Sequence, residues 1–301
     1  MDDKSTPRRS RAASYPYPAP STPGARSSAY DPGVSKVSYE RVGAAALLTI
    51  TRPERRNAVD DETAGLLLDG FKRFESEDAA RVLVLAGDGP HAFSAGADLK
   101  AFAERAAAFR GDDPEAEVGE WLDARPDGPL GFTRLQASKP TIAAISGWCL
   151  AGGLELALWC DLRIATETAK LGFTERRFGV PLIDGGTQRL PRLIGLGRAL
   201  EMILTGRVVE ASEAHSWGLV TEVVSDGAHL DRALEIAEGL AAFPQTTMLS
   251  DRRAAIEGIG LPFADGLALE AKLGRSSVIT GVAGAARFAA GEGRGAEGAG
   301  V

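Results

Sequence analysis

The stretch Lys139–Ala165 reads KPTIAAISGWCLAGGLELALWCDLRIA. TIAAISGWC is a continuous apolar run, the pattern of a strand buried on both faces. AGGLELALWC opens on small residues and continues as a glycine-led helix, and DLRIATETAKLGF returns to a strand or strand pair. A strand that feeds a helix through a glycine turn and is followed by another strand is the repeating unit of an α/β body. The turn has a second consequence. In CLAGGLEL, residues 149–156, few side chains cover the N–H groups at the start of the helix, so an oxygen of a ligand can reach bare backbone.

The same junction occurs once more upstream. RVLVLAGD, residues 81–88, is a buried-strand pattern, and FSAGADL, residues 93–99, makes the turn into a helix-like segment. Before it, VSYERVGAAALLTITR, from Val37, has strand character on both sides of a Val-Gly turn. A helical period then puts Leu66, Leu67, Phe71 and Phe74 on one face, with Asp60 or Asp61 as N-cap. Residues 110–128 are polar, carry Pro and Gly, and predict a surface loop. A helix-like run follows to Ser138, ended by Lys139-Pro140. From Gly186 onward the pattern is almost wholly helical, and GLGRAL, residues 195–200, reads as a helix–helix turn. The expected organisation is a Pro/Ser/Arg-rich disordered tail over 1–36, an α/β core over 37–210, a helical C-terminal layer over 211–288 and a flexible low-complexity tail over 289–301.

Composition narrows the function. The chain of 301 residues has 34 basic and 41 acidic side chains, a net charge of −7. Residues 1–36 hold six of the basic residues against Asp2, Asp3 and Asp31, a local +3, so the rest stands near −10 and does not suit a nucleic-acid-binding body. An anionic ligand therefore requires a local basic cluster. Cys149 and Cys160 sit in apolar runs without CxxC spacing, the pattern of reduced thiols in a cytoplasmic protein. His91, His215 and His229 are scattered, and no metal site is expected. No apolar run approaches the ~18 residues of a membrane span, and the N-terminus lacks the apolar stretch of a secretory signal.

Two acids stand near the glycine turns. Glu155 lies in the first turn of the helix after Gly152, where an acid by itself complements the helix dipole. Glu175 precedes Arg176-Arg177, where an acid by itself forms a surface ion pair. If both face one apolar pocket beside the bare N–H groups, burial and mutual repulsion raise at least one pKa and supply an acid and a base. The paired turns would then stabilise one developing oxyanion. There is no GxSxG elbow and no P-loop, and GLGRAL follows a helical stretch and ends on leucine, so it is no dinucleotide fingerprint.

In order along the chain stand ITRPERRNAV, AFSAGADLKAF, the stretch from Lys139 to Ala165, LGFTERRFGVPLIDGGTQRLPRLIG and an LTGR…A…WGLV segment. With these pieces, over about residues 37–275, the chain resembles the crotonase (enoyl-CoA hydratase/isomerase) superfamily. The resemblance implies a spiral of ββα units with helices that assemble trimers, commonly paired into hexamers, and an acyl-coenzyme A thioester as substrate. It implies a lyase of fatty acid metabolism that needs no cofactor beyond the coenzyme A carried by its substrate. By position, the N–H groups of Ala97 and Gly152 hold the thioester oxygen, and Glu155 and Glu175 are the catalytic pair of a hydratase. Arg55, Arg56 and Ala58 match the loop along the CoA phosphates and adenine, and Ala95, Asp98, Leu99 and Lys100 match residues lining the substrate. The alternatives are a 3,2-enoyl-CoA isomerase working mainly through Glu175 and a non-catalytic or repurposed acyl-CoA-binding homologue. Asp184 stands where hydratases have a small residue; it either brings a third carboxylate to the pocket or caps the next helix.

Overall fold

The computed structural model describes residues 35–106 and 113–291. The chain opens with the hairpin β1 (Val37–Val42) and β2 (Ala45–Ile50), turned at Gly43. Next come α1 (Asp61–Ser76), β3 (Val82–Gly87), β4 (Ala92–Ser94) and α2 (Leu99–Ala106). After α3 (Pro114–Asp123) the chain runs through β5 (Thr141–Ile145), β6 (Trp148–Leu150), α4 (Gly152–Trp159), β7 (Leu162–Thr166) and β8 (Lys170–Gly172). A short 3-10 helix, Thr174–Phe178, leads to α5 (Gly186–Ile194), α6 (Leu196–Thr205), β9 (Val208–Glu210), α7 (Ala211–Ser216) and β10 (Glu222–Val224). Four helices close the chain: α8 (His229–Ala242), α9 (Gln245–Gly258), α10 (Phe263–Gly274) and α11 (Val278–Ala289).

The strands form a six-stranded sheet in the order β1-β2-β3-β5-β7-β10 and a four-stranded sheet in the order β4-β6-β8-β9. Only the β1–β2 and β8–β9 pairs are antiparallel. Three strands of the first sheet are each followed by a short strand of the second and then by a helical turn: β3-β4-α2, β5-β6-α4, and β7-β8 with Thr174–Phe178. The expected spiral of ββα units is this repetition. It brings all the turns after the second-sheet strands to one side.

Side chains of the large sheet alternate between two apolar layers, as a period of two requires. Leu83 and Leu85 of β3 join Leu67, Phe71 and Phe74 of α1 and Leu154 of α4, whereas Val82 and Val84 pack on Ala233, Ile236 and Ala237 of α8. The predicted face of α1 is therefore buried, and Asp60 caps it by accepting the Thr63 N–H at 2.9 Å.

Several expectations are corrected. The chain does not become a separate helical layer at residue 211, because β10 pairs with β7 and α8 covers the large sheet. From α9 onward the α-helices bury no residue in the single chain. Arg252 of α9 is tied to the core by Asp161, at 2.8 and 3.0 Å. The loop expected over 110–128 contains α3, for which Asp113 is the N-cap and Pro114 takes the first turn, where its missing N–H costs nothing. The helix expected up to Ser138 is instead a series of turns. Gly128 and Gly131 hold φ of +111° and +106°, and a Cβ at Gly131 would lie 2.6 Å from the Ala64 carbonyl oxygen. The predicted terminal tails lie almost wholly outside the described residues. The N-terminal boundary falls slightly earlier than expected, since Lys36 already pairs with Asp60 at 2.8 Å. Among the described residues no helix is long and apolar enough to cross a membrane.

Candidate active site

The two glycine turns touch. A Cβ placed on Gly96 would lie 2.5 Å from the Gly152 nitrogen, and one on Gly152 would lie 3.5 Å from the Ala97 nitrogen. Gly96 also holds φ of +83°, so both the contact and the conformation call for glycine. The Ala97 and Gly152 N–H groups have no acceptor among the described residues. Ala151, at φ 52° and ψ −129°, occupies a region that L residues rarely adopt, a local cost of about 1–3 kcal/mol. Its N–H donates to the Gly172 oxygen at 2.8 Å and its carbonyl accepts from Leu154 at 2.9 Å. These bonds hold the turn and point the next amide, that of Gly152, out of the ladder.

The loop of Arg52 to Val59 fastens the Gly96 turn. Asn57, fully buried with φ of 53°, donates to the Asp88 and Ala92 oxygens and accepts from the Arg52 N–H. Ser94 Oγ donates to the Asn57 carbonyl at 2.8 Å and accepts the Gly96 N–H at 3.1 Å. The Ala95 N–H donates to the Arg56 oxygen, and the Val59 N–H to the Gly96 oxygen. Asn57 and Ser94 were not singled out in the sequence. Their signal was only their place inside the two motifs.

Both glutamates face one cavity of about 390 Å³, which Ala97, Gly152 and Asp184 also line. Glu155 is 3% exposed and Glu175 4%, so neither is a surface acid. Glu155 Oε1 accepts from the Gly186 N–H at 2.7 Å and the Asp184 N–H at 3.0 Å, at the start of α5. The closeness depends on Gly186, where a Cβ would lie 3.0 Å from that oxygen. Burial pushes the Glu155 carboxyl up to about 8; the two N–H bonds oppose the rise, and the charges of Asp184 and Glu175 add to it. Glu175, on the 3-10 helix, is also raised by burial, and among the described residues neither of its buried oxygens has a hydrogen-bond partner. The chemistry available is two buried carboxyl groups, both held above the usual carboxylate range, lining the same cavity as two free N–H donors.

Asp184 is 3% exposed and is not the cap of α5; Gly185 takes that position without a side-chain bond. Its Oδ1 accepts from the Leu130 N–H at 3.1 Å and from the Thr133 hydroxyl. Of the candidate CoA contacts, Ala95, Asp98 and Leu99 line the cavity, whereas Arg55, Arg56 and Lys100 are exposed outside it and Ala58 is buried behind it. Asp98 is already committed: it pairs with Arg52 Nη2 at 3.0 Å and accepts the Lys100 N–H at 3.2 Å. Arg52 also pairs with Asp60 at 3.1 Å. Among the described residues no group of three or more His, Cys, Asp or Glu is placed to hold a metal ion.

The individual side chains of the far wall of the cavity are not singled out by the sequence. Phe102, Val118, Trp121, Leu122, Phe178 and Ile183 line it. Phe102 and Trp121 meet edge to face at 6.4 Å, and the Arg125 guanidinium lies 4.6 Å over the Trp121 ring. The available signal was an apolar Trp-Leu pair inside an otherwise acidic segment.

The chain matches the family model described as Enoyl-CoA hydratase/isomerase over residues 40–273. It is 37% identical over 251 residues to a Rhizobium meliloti protein named "Probable enoyl-CoA hydratase", covering 81% of this chain and 92% of that one. It is 35% identical to the (E)-benzylidenesuccinyl-CoA hydratase of Thauera aromatica, over 77% of this chain and 86% of that one. Among solved structures, the enoyl-CoA hydratase EchA1 of Mycobacterium marinum superposes with a TM-score of 0.74 at 32% identity, covering 85% of this chain and 96% of that one.

Proposed function

Because the chain belongs to the enoyl-CoA hydratase/isomerase (crotonase) family, we propose that it hydrates a 2-enoyl-CoA thioester by syn addition of water. The observation that carries this reading is the pair of buried glutamates facing the same cavity as two unpartnered N–H groups. The thioester oxygen lies between the Ala97 and Gly152 amides, which are worth roughly 3–4 kcal/mol each when an enolate forms. Glu155 takes a proton from water as the water oxygen bonds to Cβ. The electron pair of the C=C bond moves onto the thioester oxygen, and Glu175 delivers a proton to Cα, so the net change is addition of one water.

The division of roles follows from the hydrogen bonds. Two N–H donors at Glu155 Oε1 favour its anion relative to Glu175, which has no donor among the described residues, so Glu155 is assigned the base and Glu175 the acid. The exposed Arg55, Arg56 and Lys100 surround the approach for the CoA phosphates. We also propose self-assembly as a trimer or a pair of trimers through the C-terminal helices. On the C-terminal helices Phe263 and Ile279 are 81% and 80% exposed in the single chain, and Val278, Val282 and Phe288 are exposed as well, large apolar side chains that assembly would cover.

The test is the absorbance of the conjugated enoyl thioester of crotonyl-CoA and longer homologues. Hydration removes it, and an unchanged spectrum with purified protein refutes the reading. Glu155→Gln and Glu175→Gln separate hydration from 3,2-isomerisation, since hydration suffers from either change and isomerisation mainly from the second. Tight binding of CoA thioesters with no turnover and no exchange of α-protons into heavy water identifies a non-catalytic homologue.

A further inference from the structure

Asp184 reaches three parts of the site at once. Its N–H donates to Glu155 Oε1 on α4 at 3.0 Å. Its carbonyl accepts from Arg189 Nη1 on α5 at 2.8 Å. Its carboxylate accepts from the Leu130 N–H and the Thr133 hydroxyl in the turns before β5. Arg189 closes the ring, since its Nη2 donates to the Thr133 carbonyl at 2.6 Å. Leu130 is more than a partner of Asp184. Its Cδ1 lies 2.6 Å from where a Gly152 Cβ would be, so this side chain rests on the backbone of the oxyanion turn and keeps that spot apolar.

We propose that Asp184 is a positioning residue for the hydration read above: one residue sets the Glu155 carboxylate through its main chain and the Leu130 wall over Gly152 through its side chain. Base and oxyanion donor are thereby fixed relative to each other. The carboxylate also supplies a like charge beside Glu155, which opposes ionisation there. The other charged groups facing Glu155 are Glu175, from the 3-10 helix, and Arg189, from α5.

The experiment compares Asp184→Ala, Asp184→Asn and Thr133→Val with the parent protein. Rates are taken per active site, titrated with a tight-binding acyl-CoA, over a range of pH. Asp184→Ala loses the anchor of Leu130 and lowers kcat about 10²-fold, as expected for a small misplacement of reacting groups, with KM changed much less. In Asp184→Asn the amide oxygen still accepts both bonds, so most of the lost kcat returns. The charge does not return, so the ascending limb of its pH–rate profile moves to lower pH. Thr133→Val, which removes one of the two bonds, falls between parent and Asp184→Ala. A merely structural Asp184 gives lower denaturation midpoints with unchanged kcat per site and an unmoved limb, and that result overturns the proposal. So does Asp184→Asn performing no better than Asp184→Ala. If the alanine variant does not fold, the other two carry the comparison. If the parent hydrates no enoyl-CoA, the function read above fails by itself. The variants are then ranked by α-proton exchange of a saturated acyl-CoA in heavy water, and absence of that exchange in the parent overturns the Asp184 role as well.

Discussion

Glu155→Gln removes a titrating group and keeps its shape. The amide oxygen still accepts the Asp184 and Gly186 N–H bonds, which are 3.0 and 2.7 Å long. The change therefore isolates the proton. In the parent, the folded-state carboxyl is raised from 4.5 to about 8. A raised acid contributes stability that is fully present below its unfolded pKa and is lost as pH climbs through the folded value. Moving from 4.5 to about 8, at about 1.4 kcal/mol for each tenfold change in acidity, gives a cost of about 5 kcal/mol once the native state must ionise. The cavity opens to water and Glu175 shares the titration, so about 3 kcal/mol is the expected difference in practice. Urea denaturation read in parallel at pH 4 and pH 9 measures it. Parent and variant are expected to differ least at pH 4, below the unfolded value, and the variant is expected to gain on the parent from 4.5 to about 8 and to be more stable at pH 9, while its hydration falls about 10²–10⁴-fold for loss of the base. Parallel stability curves across this range refute the reasoning, because they mean that Glu155 is not held protonated by burial.

Three other outcomes follow from the same site. In the parent, kcat/KM rises with pH and levels above about 8, as the ionisation of Glu155 requires; a profile already flat at pH 6 contradicts it. Gly96→Ala drives a Cβ to within 2.5 Å of the Gly152 nitrogen at a φ of +83°, so it is expected to lower kcat about 10²-fold or more and to destabilise by more than ~1 kcal/mol; steady-state kinetics and thermal melts read both. Replacing both exposed arginines, Arg55→Ala with Arg56→Ala, raises KM for the CoA thioester about tenfold with kcat little changed, and added salt narrows the gap between parent and variant.

The sequence by itself determined the strand–turn–helix order, because continuous apolar runs and glycine turns are local properties. It also determined which turns are bare, since Gly96 and Gly152 are required by conformation and contact that no other residue meets. The role of α3 escaped it: a Pro and an acidic surface made the segment look like a loop, whereas Asp113 and Pro114 are helix-start residues and Trp121 turns into the cavity wall. The run before Lys139 misled in the opposite sense, because Gly128 and Gly131 break a helical period that composition alone suggested. Only the tertiary structure decided that Glu155 and Glu175 face one apolar-lined cavity. Read singly, each had an ordinary explanation at a helix start or in a surface pair. What changes their chemistry is desolvation, and that depends on β5, β7 and α5 meeting across long stretches of chain. Asp184 is the plainest case. Next to two glycines it reads equally as a helix cap or as a third carboxylate of the pocket, and only the fold decides: its carboxylate turns away from the helix to Leu130 and Thr133, partners more than fifty residues earlier. Such partners are set by the packing of the whole spiral, and no local pattern of side chains encodes them.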